Sequence, residues 1–313
     1  MKLSLVIPCY NEEANVRPMY EACCTVFSAA VPSFEMIFVN DGSTDKTWAE
    51  LKKLYHEDKA HVRLLDFSRN FGKEAAMYAG LQRAVGDYVT VIDADLQQRP
   101  EVALEMVQFL DANPDYDGVA AYQDNRQEGA FTRLCKKLFY KLINAACDTT
   151  FRSDASDFRT FRREMVEAVL AMGEYHRFSK GIFSFVGYNV HYMPYTVHQR
   201  AAGKTSWSFW KLCRYAFEGI VSFSTFPLKI ATIVGAVMSL LSLIYMVVVV
   251  VQKLAFGISV SGYATIVVLI LLIGGLQMIM LGLIGEYVAR IYIQGKHRPV
   301  YIAREYLGGD EEE

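Results

Sequence analysis

The sequence predicts an α/β fold, with a mostly parallel sheet and helices on both faces, followed by a C-terminal hairpin of two transmembrane helices. Strand-like and helix-like segments alternate from Leu3 onward, which is the pattern of right-handed βαβ units. Two runs without a charged residue, at 230–251 and 259–285, each exceed the ~18–20 residues that a helix needs to cross a bilayer. One such run would fit a buried helix, but two in tandem favour a membrane hairpin.

Apolar runs that end in turn residues mark the strands, and apolar residues at helical spacing mark the helices. We expect strands at 3–7, 35–39, 62–67, 87–92 and 116–122, and helices at 15–29, 47–56, 74–85 and 101–110. Further along, the pattern predicts an irregular polar segment at 154–163, a helix at 164–172 and strands at 181–187 and 190–193.

The composition divides the chain into a polar part and a membrane part. We expect a cytoplasmic domain at 1–205 with a basic amphipathic helix near 131–146, an interfacial amphipathic segment at 206–227, transmembrane helices at 228–252 and 262–289, and a cytoplasmic tail at 290–313. Cations flank the two spans, whereas the short connection carries only Lys253, so both flanks are expected in the cytoplasm. The basic helix fits an anionic membrane surface and equally well a helix packed on the sheet.

Composition and motifs exclude several classes of protein. The net charge of −2 gives no sign of a general nucleic-acid binder. The six cysteines form no C-x-x-C pair, so we expect reduced thiols that face the cytosol. The sequence has no zinc-ligand spacing, no G-x-G-x-x-G after the first strand and no G-x-x-x-x-G-K-[ST], which argues against a zinc enzyme, a dinucleotide enzyme and a P-loop ATPase.

Two carboxylates, Asp93 and Asp95, directly follow the strand at 87–92. Their i, i+2 spacing puts both side chains on the same side of an extended chain. Carboxylate oxygens suit a hard divalent ion such as Mg²⁺ or Mn²⁺, which often bridges to phosphates. In isolation, the simpler interpretation is two solvated acids at a strand exit, because the D-x-D pattern is common.

Polar residues also follow the other predicted strands: Tyr10 and Glu12 the first, Asp41 the second and Lys73 the third. Open α/β sheets bind their ligands at the carboxyl edge of the strands, so these residues predict a crevice for an anion and a metal. A cytoplasmic crevice tethered by a membrane hairpin suits an enzyme that uses a soluble phosphate-bearing donor to modify a lipid-embedded acceptor.

Several ordered motifs carry a family resemblance. The segments VIPCYNEE, VNDGSTD, RNFGKEAA and DADLQQRP, at 6–13, 39–45, 69–76 and 93–100, resemble family 2 glycosyltransferases of the GT-A fold. The DFR triplet at 157–159, R-x-x-G-K-T-S-W at 200–207 and two C-terminal spans are similar to the polyprenyl-phosphate group of that family. This group includes dolichol-phosphate mannose synthases and bactoprenol glucosyltransferases.

The resemblance implies an inverting, metal-dependent transfer of a sugar from a nucleotide-sugar to a polyprenyl phosphate, at the cytoplasmic face of the cell membrane, with Mg²⁺ or Mn²⁺ as cofactor. The form DASDFR at 154–159 is closer to the bactoprenol branch and favours UDP-glucose. GDP-mannose, UDP-GlcNAc and a UDP-aminoarabinose derivative stay open as donors. Two spans are too few to enclose a lipid, and glycines in the second span allow close helix contact, so a homo-oligomer is expected.

Two other functions compete with this one. A processive polymerase of the same family would carry a Q-x-x-R-W motif, which the residues HQRA at 198–201 do not match. A membrane-anchored nucleotide-binding scaffold without transferase activity is opposed by the D-x-D pair and by the basic loop at 197–207.

The resemblance also implies roles for single residues. Carried over by position, it assigns catalysis to Asp95, Asp157 and Arg200, the metal to Asp95 and Gln97, and substrate binding to Pro8, Tyr10, Glu12, Asp41, Lys73, Asp93, Ala94, Arg159 and Lys204. In this scheme Asp41 bonds the base, and Arg200 and Lys204 approach the donor and acceptor phosphates. Asp93 contacts the sugar or ribose, or orders its loop.

Some of these residues have simpler interpretations. Asp41 would cap the helix that follows it, Lys73 would be a surface cation, and Arg159 would pair with Asp157. Asp157 is expected to orient groups or balance charge rather than to remove a proton. The reason is that a phosphate monoester, with a second pKa near ~6, is mostly dianionic at neutral pH.

Overall fold

The computed structural model describes residues 2–123, 155–196, 221–222, 224–256 and 262–308. The strands are β1 (Lys2–Cys9), β2 (Ser33–Asn40), β3 (Val62–Phe67), β4 (Tyr88–Val91), β5 (Gly118–Gln123), β6 (Ala155–Arg162), β7 (Val190–Tyr195) and β8 (Ala303–Leu307). The helices are α1 (Val16–Phe27), α2 (Thr47–Glu57), α3 (Lys73–Arg83), α4 (Pro100–Ala112), α5 (Arg163–Ala171), α6 (Ser179–Phe185), α7 (Phe226–Phe256) and α8 (Tyr263–Gly295). The α/β fold class and the predicted positions of β1 to β5 and α1 to α4 are confirmed.

The described strands form one mixed sheet in the order β7-β5-β6-β4-β1-β2-β3-β8. The central strands β3, β2, β1 and β4 are parallel, so their carboxyl ends meet at one edge. The strand β6 is antiparallel to β4, with Val91 paired to Arg159. Continuing this register brings Asp93 opposite Asp157, so the beginning of β6 joins the same edge.

Two apolar layers cover the two faces of the sheet. On one face, side chains of β1 such as Leu5 pack with Met19, Leu51 and Met106 from α1, α2 and α4. On the other face, Val6 and its neighbours pack with residues of α3, α5 and α6. Burial on both faces explains why the central strands are nearly continuous apolar runs.

The prediction of an irregular segment at 154–163 is wrong, because Ala155–Arg162 forms β6. Their polar side chains are satisfied by partners from distant parts of the chain. The Thr160 hydroxyl hydrogen-bonds that of Thr90 at 2.8 Å, and Arg162 donates to the carbonyl oxygen of Leu110 at 2.6 Å. With such partners, a strand rich in charged residues can lie inside a sheet.

The prediction of a strand at 181–187 is also wrong, because Ser179–Phe185 forms α6. A short apolar run does not distinguish a buried strand from a buried helix. The strand predicted at 190–193 is confirmed and extends to Tyr195.

The segment predicted as a tail at 290–313 returns to the domain. Residues Ala303–Leu307 form β8, antiparallel to β3 at the edge of the sheet. Just before this strand, the Tyr301 ring stacks on Phe67 at 4.8 Å and its hydroxyl donates to Gln82 Oε1 at 2.9 Å. Residues that follow the hairpin in sequence therefore also contact the domain.

Two helices, α7 and α8, contain the predicted spans. The stretches Phe226–Gln252 and Val268–Gly295 are long and apolar enough to cross a membrane, and their crossing stays a prediction. At the end of α8, the Gln294 amide accepts the N–H of Tyr175 at 2.8 Å and donates to the Gly173 carbonyl at 3.1 Å. The predicted basic helix near 131–146 and residues 206–220 of the predicted interfacial segment lie outside the described residues.

Candidate active site

The loops after β1 and β2 are bonded to each other at the carboxyl edge of the sheet. The Asn11 backbone N–H donates to Ser43 Oγ at 2.9 Å, and its side-chain oxygen accepts the Thr44 N–H at 2.8 Å. The predicted nucleotide-pocket residues lie on this edge: Pro8 is half-buried, Tyr10 is 48% exposed, and Glu12 accepts a hydrogen bond from Asn15 at 2.5 Å. The exposed ring of Tyr10 is therefore accessible to a ligand.

Asp41 is buried and holds a loop rather than the helix that follows it. Its carboxylate accepts the N–H groups of Phe71, at 2.6 Å, and Gly72, at 3.0 Å, just before α3. Burial raises the pKa of Asp41 above its usual value, against the lowering effect of these two bonds. At the start of α2 it is instead Asp45 that accepts a backbone N–H, that of Thr47 at 3.0 Å. The alternative interpretation of Asp41 as a cap of α2 is thus wrong, and its contact with a base stays a prediction.

The backbone of the loop held by Asp41 packs closely against Gly42. Gly42 has φ +64°, and an added Cβ would lie 2.3 Å from the carbonyl carbon of Arg69 and 2.5 Å from the nitrogen of Asn70. Only glycine fits here without displacing the backbone that precedes α3.

We therefore expect Gly42→Ala to lower the free energy of unfolding by about 2–4 kcal/mol, from left-handed strain plus the backbone clash, and to raise the donor KM. Gly187→Ala is the matched control, because Gly187 has φ +73° but an added Cβ would lie 3.9 Å from the Phe185 carbonyl oxygen, an ordinary contact distance. It should cost only the strain, about 1–2 kcal/mol, with an unchanged donor KM. Thermal unfolding measures the loss of stability, and initial rates measure the donor KM. Equal donor KM values in the two variants would contradict a role of the Gly42 loop in donor binding.

Lys73 joins two carboxylates at the sheet edge. Its Nζ lies 2.6 Å from Asp93 Oδ1 and 3.3 Å from Asp157 Oδ2. Burial lowers the pKa of Lys73, but the two carboxylates outweigh it and the net pKa is raised. Burial likewise raises the pKa of Asp157, yet the charges of Lys73, Lys180 and Arg159 hold it below its usual range. Lys73 is therefore a bridging cation, not an isolated surface charge, and Asp157 is ionised at neutral pH.

Asp93 and Asp95 differ in their partners. Besides Lys73, the Asp93 carboxylate accepts the Gln98 amide at 3.0 Å, and the Asp93 N–H donates to Gln98 Oε1 at 2.9 Å. Asp95 Oδ1 accepts the N–H of Gln97 at 3.1 Å within its own turn. The turn also contains Leu96 at φ +59°, a conformation that non-glycine residues rarely adopt. A metal ion at Asp93 would therefore compete with the ammonium group of Lys73.

The metal-binding side chains at this edge fit an ion that binds together with the phosphate groups of a substrate. No group of three or more His, Cys, Asp or Glu residues is placed to hold an ion among the described residues. Mg²⁺ is commonly held by one or two carboxylates, with phosphate oxygens and water completing its coordination. One carboxylate at Asp95, next to Gln97, matches that type of site rather than a preformed metal cage.

Arg159 is 4% exposed, so its side chain is covered. Its Nε donates to the Ser156 carbonyl at 3.1 Å, and its guanidinium lies 4.8 Å from the centre of the Phe183 ring. Direct contact of Arg159 with a substrate stays a prediction. An ion pair of Arg159 with Asp157 also stays a prediction, although its charge lowers the pKa of Asp157. Ala94 is buried directly between the two acids, while Arg200 and Lys204 lie outside the described residues.

Some residues of this site were missed from the sequence. Gln98 orders Asp93, Glu74 bonds Ser179, and the charge of Lys180 acts on Asp157. Glu74 and Gln98 lie inside the quoted motifs at 69–76 and 93–100, which was the only signal for them. Lys180 lies in α6, directly before the segment 181–187 that the sequence pattern wrongly predicts as a strand.

The model of glycosyl transferase family 2 matches residues 4–170, and the model of the GtrB C-terminal hairpin matches residues 226–291. The chain belongs to glycosyltransferase family 2. Its two apolar C-terminal helices correspond to the hairpin, which supports an association of this glycosyltransferase with membranes.

Relatives of this glycosyltransferase match nearly the whole chain. The bactoprenol glucosyl transferase of Shigella phage SfV is 40% identical, covering 97% of this chain and 98% of the relative. The putative glycosyltransferase CsbB of Bacillus subtilis is 40% identical, with 97% and 91% covered. The prophage bactoprenol glucosyl transferase homolog of Escherichia coli is 39% identical, with 97% and 99% covered. Among solved structures, mannosyltransferase PcManGT from Pyrobaculum calidifontis, in complex with GDP-Man and Mn²⁺, is 19% identical with a TM-score of 0.48, covering 70% of this chain and 63% of that chain.

Proposed function

We propose that this glycosyltransferase transfers glucose from UDP-glucose to a membrane polyprenyl phosphate, with inversion at the anomeric carbon. The observation that carries this proposal is the Lys73–Asp93–Asp157 cluster beside Asp95 at the sheet edge, in a domain bonded to the end of an apolar hairpin. The relatives named bactoprenol glucosyl transferase, similar over almost the full chain, support the donor sugar and the lipid acceptor.

The described residues bind and orient the two substrates. Asp95, with Gln97, would hold a Mg²⁺ or Mn²⁺ ion, and that ion would neutralise charge on the diphosphate leaving group. Asp93 is fixed by Lys73 and Gln98 and faces the donor sugar or ribose. Tyr10 offers an exposed ring to the nucleotide.

The transfer itself needs no proton to move. An oxygen of the acceptor phosphate forms a bond to the anomeric carbon, from the face opposite the nucleotide. The bond from that carbon to the diphosphate breaks, and the nucleoside diphosphate leaves with the electron pair. Since the acceptor is mostly dianionic at neutral pH, Asp157 serves to hold Lys73 and to balance charge rather than to act as a base.

The membrane arrangement belongs to the same proposal. The helices α7 and α8 cross the cell membrane, with the catalytic domain and both termini in the cytoplasm, and Arg200 and Lys204 approach the phosphates. Copies pack through their hairpins as a homo-oligomer. The contact of Gln294 with the loop at 173–175 supports a catalytic domain held at the membrane surface.

The experiment is a transfer assay with purified protein in bilayers that contain undecaprenyl phosphate. Radiolabelled UDP-glucose, UDP-GlcNAc, GDP-mannose and a UDP-aminoarabinose derivative are compared as donors. We expect a lipid-linked product from UDP-glucose, at a rate at least about tenfold above the others and abolished by a chelator, because such a ratio needs only about 1.4 kcal/mol of discrimination. Preference for another donor would overturn the sugar assignment. Nucleotide binding without transfer from any donor would support the scaffold alternative.

A further inference from the structure

A contact between α3 and α6 lies next to the proposed site. Glu74 follows the bridging Lys73 in the first turn of α3, and its Oε2 accepts both the backbone N–H, at 3.0 Å, and the hydroxyl hydrogen of Ser179. Ser179 is the first residue of α6 and is 4% exposed. A buried residue thus has both its polar hydrogens received by one carboxylate oxygen, 105 positions away in sequence.

The helix α6 connects this contact to Asp157. Phe183 packs against Phe161 of β6 at 4.9 Å between ring centres, so α6 lies on the strand that carries Asp157. Lys180 directly follows Ser179, and its charge is among those that lower the pKa of Asp157. The position of the first turn of α6 therefore affects the charge around Asp157.

An ionised carboxylate at position 74 lowers the stability of the fold. Burial, and after it the charge of Asp157, raises the pKa of Glu74 to about 7, while Ser179 and Arg177 lower it. A neutral group of the same shape, such as the amide of glutamine, would keep the acceptor oxygen and avoid this cost.

We propose that Glu74 is a positioning residue for the transfer reaction: by receiving both hydrogens of Ser179, it fixes the first turn of α6, which carries Lys180, against the strand that carries Asp157. This inference rests on the proposed function for its effect on rate, but the contact itself does not depend on any substrate. The role belongs to the acceptor oxygen of residue 74 and requires neither its charge nor its proton.

The test compares Glu74→Ala, Glu74→Gln and Ser179→Ala. In Glu74→Ala we expect faster hydrogen exchange at the amides of 179–185 with unchanged exchange in β1, and a kcat lowered at least about tenfold with donor KM within about threefold, since misplaced groups cost rate more than binding. Glutamine keeps an acceptor oxygen, so Glu74→Gln should retain kcat within about threefold. Ser179→Ala should add little to the loss in Glu74→Ala, because Glu74→Ala already removes the oxygen that receives the Ser179 hydroxyl hydrogen.

Thermal unfolding separates positioning from general stability. The pKa of Glu74 in the folded chain is above its usual value, so its favourable contribution is present at acid pH and is lost as the pH rises towards about 7. Glu74→Gln should therefore unfold at a higher temperature than the wild type at pH 8, with little difference at pH 4. A stabilised variant with near-normal kcat fits positioning by the acceptor oxygen.

Glu50→Ala is the control, since Glu50 lies in the first turn of α2 and pairs only with exposed Lys53 in the described contacts. It should leave kcat and α6 exchange unchanged. Unchanged exchange at α6 in Glu74→Ala would overturn the contact, whatever the substrate. An inactive Glu74→Gln would overturn positioning in favour of proton transfer, and absence of transfer by the wild type would refute the proposed function alone.

Discussion

Asp95→Ala should lower kcat for sugar transfer at least about a thousandfold, because stabilisation of a leaving group by a metal ion contributes several kcal/mol. Asp93 should not take over this role, because Lys73 and Gln98 occupy its carboxylate. The affinity for Mn²⁺ in the presence of nucleoside diphosphate should fall as well. Initial rates and metal titration followed by electron paramagnetic resonance measure the two effects.

Asp93→Asn is the informative comparison for Asp95→Ala. Asp93 is occupied by Lys73 and Gln98, so its replacement should weaken donor binding and loosen the turn at 93–98 while Mn²⁺ still binds. Loss of Mn²⁺ binding in Asp93→Asn with retention in Asp95→Ala would reverse the assignment. Turnover by Asp95→Ala in the presence of a chelator would remove the metal from the mechanism.

Lys73→Met should affect both rate and stability. Without the ammonium group, Asp93 and Asp157 face each other as unpaired charges, and we expect at least about a hundredfold loss of kcat from the misplaced carboxylates. Breaking a fully buried pair costs about 3–5 kcal/mol, but Lys73 is 42% exposed, so screening reduces the expected loss of unfolding free energy to about 1–3 kcal/mol.

The stability loss in Lys73→Met should depend on pH in a defined window. Because the pKa of Asp157 is lowered in the folded chain, this residue stabilises the fold above the usual carboxyl pKa. That contribution is lost as the pH falls through the folded-state pKa. Because the pKa of Lys73 is raised in the folded chain, this residue stabilises the fold below the usual lysine pKa. That contribution is lost as the pH rises through the folded-state pKa. The difference from the wild type should thus be largest near neutral pH.

Lys53→Met provides the baseline, since Lys53 is 61% exposed and pairs with Glu50 within one helix, an arrangement worth only about 0.3–0.5 kcal/mol. Thermal unfolding between pH 4 and 9 checks these values. A loss in Lys73→Met no larger than that in Lys53→Met at pH 7 would contradict the bridging role.

Much of the fold was predictable because its signals are local. The strands β1 to β4 are apolar runs that end in turn residues, and buried parallel strands require that composition. Their carboxyl ends must meet at one edge, so the crevice with Asp41, Lys73 and Asp93 followed from topology. The apolar hairpin helices followed from length and composition.

The errors occurred where stability comes from distant partners. The polar strand β6 depends on Thr90 and on the carbonyl of Leu110, which no pattern within 155–162 reveals. The helix α6 begins at a serine held from another helix, and β8 forms only because β3 offers it an edge after the chain has passed through the hairpin.

The sequence by itself determined the fold class, the edge that carries the site and the residue types available there, because periodicity and strand-end composition are properties of neighbouring residues. Tertiary structure decided how those residues are used. Asp41 holds a loop 30 positions away, and Lys73 joins Asp93 to Asp157, so that the Asp93 carboxylate is occupied by an ammonium group. Hydrogen bonds and ion pairs act over a few ångströms, so partners far apart in sequence are set only once the sheet has formed.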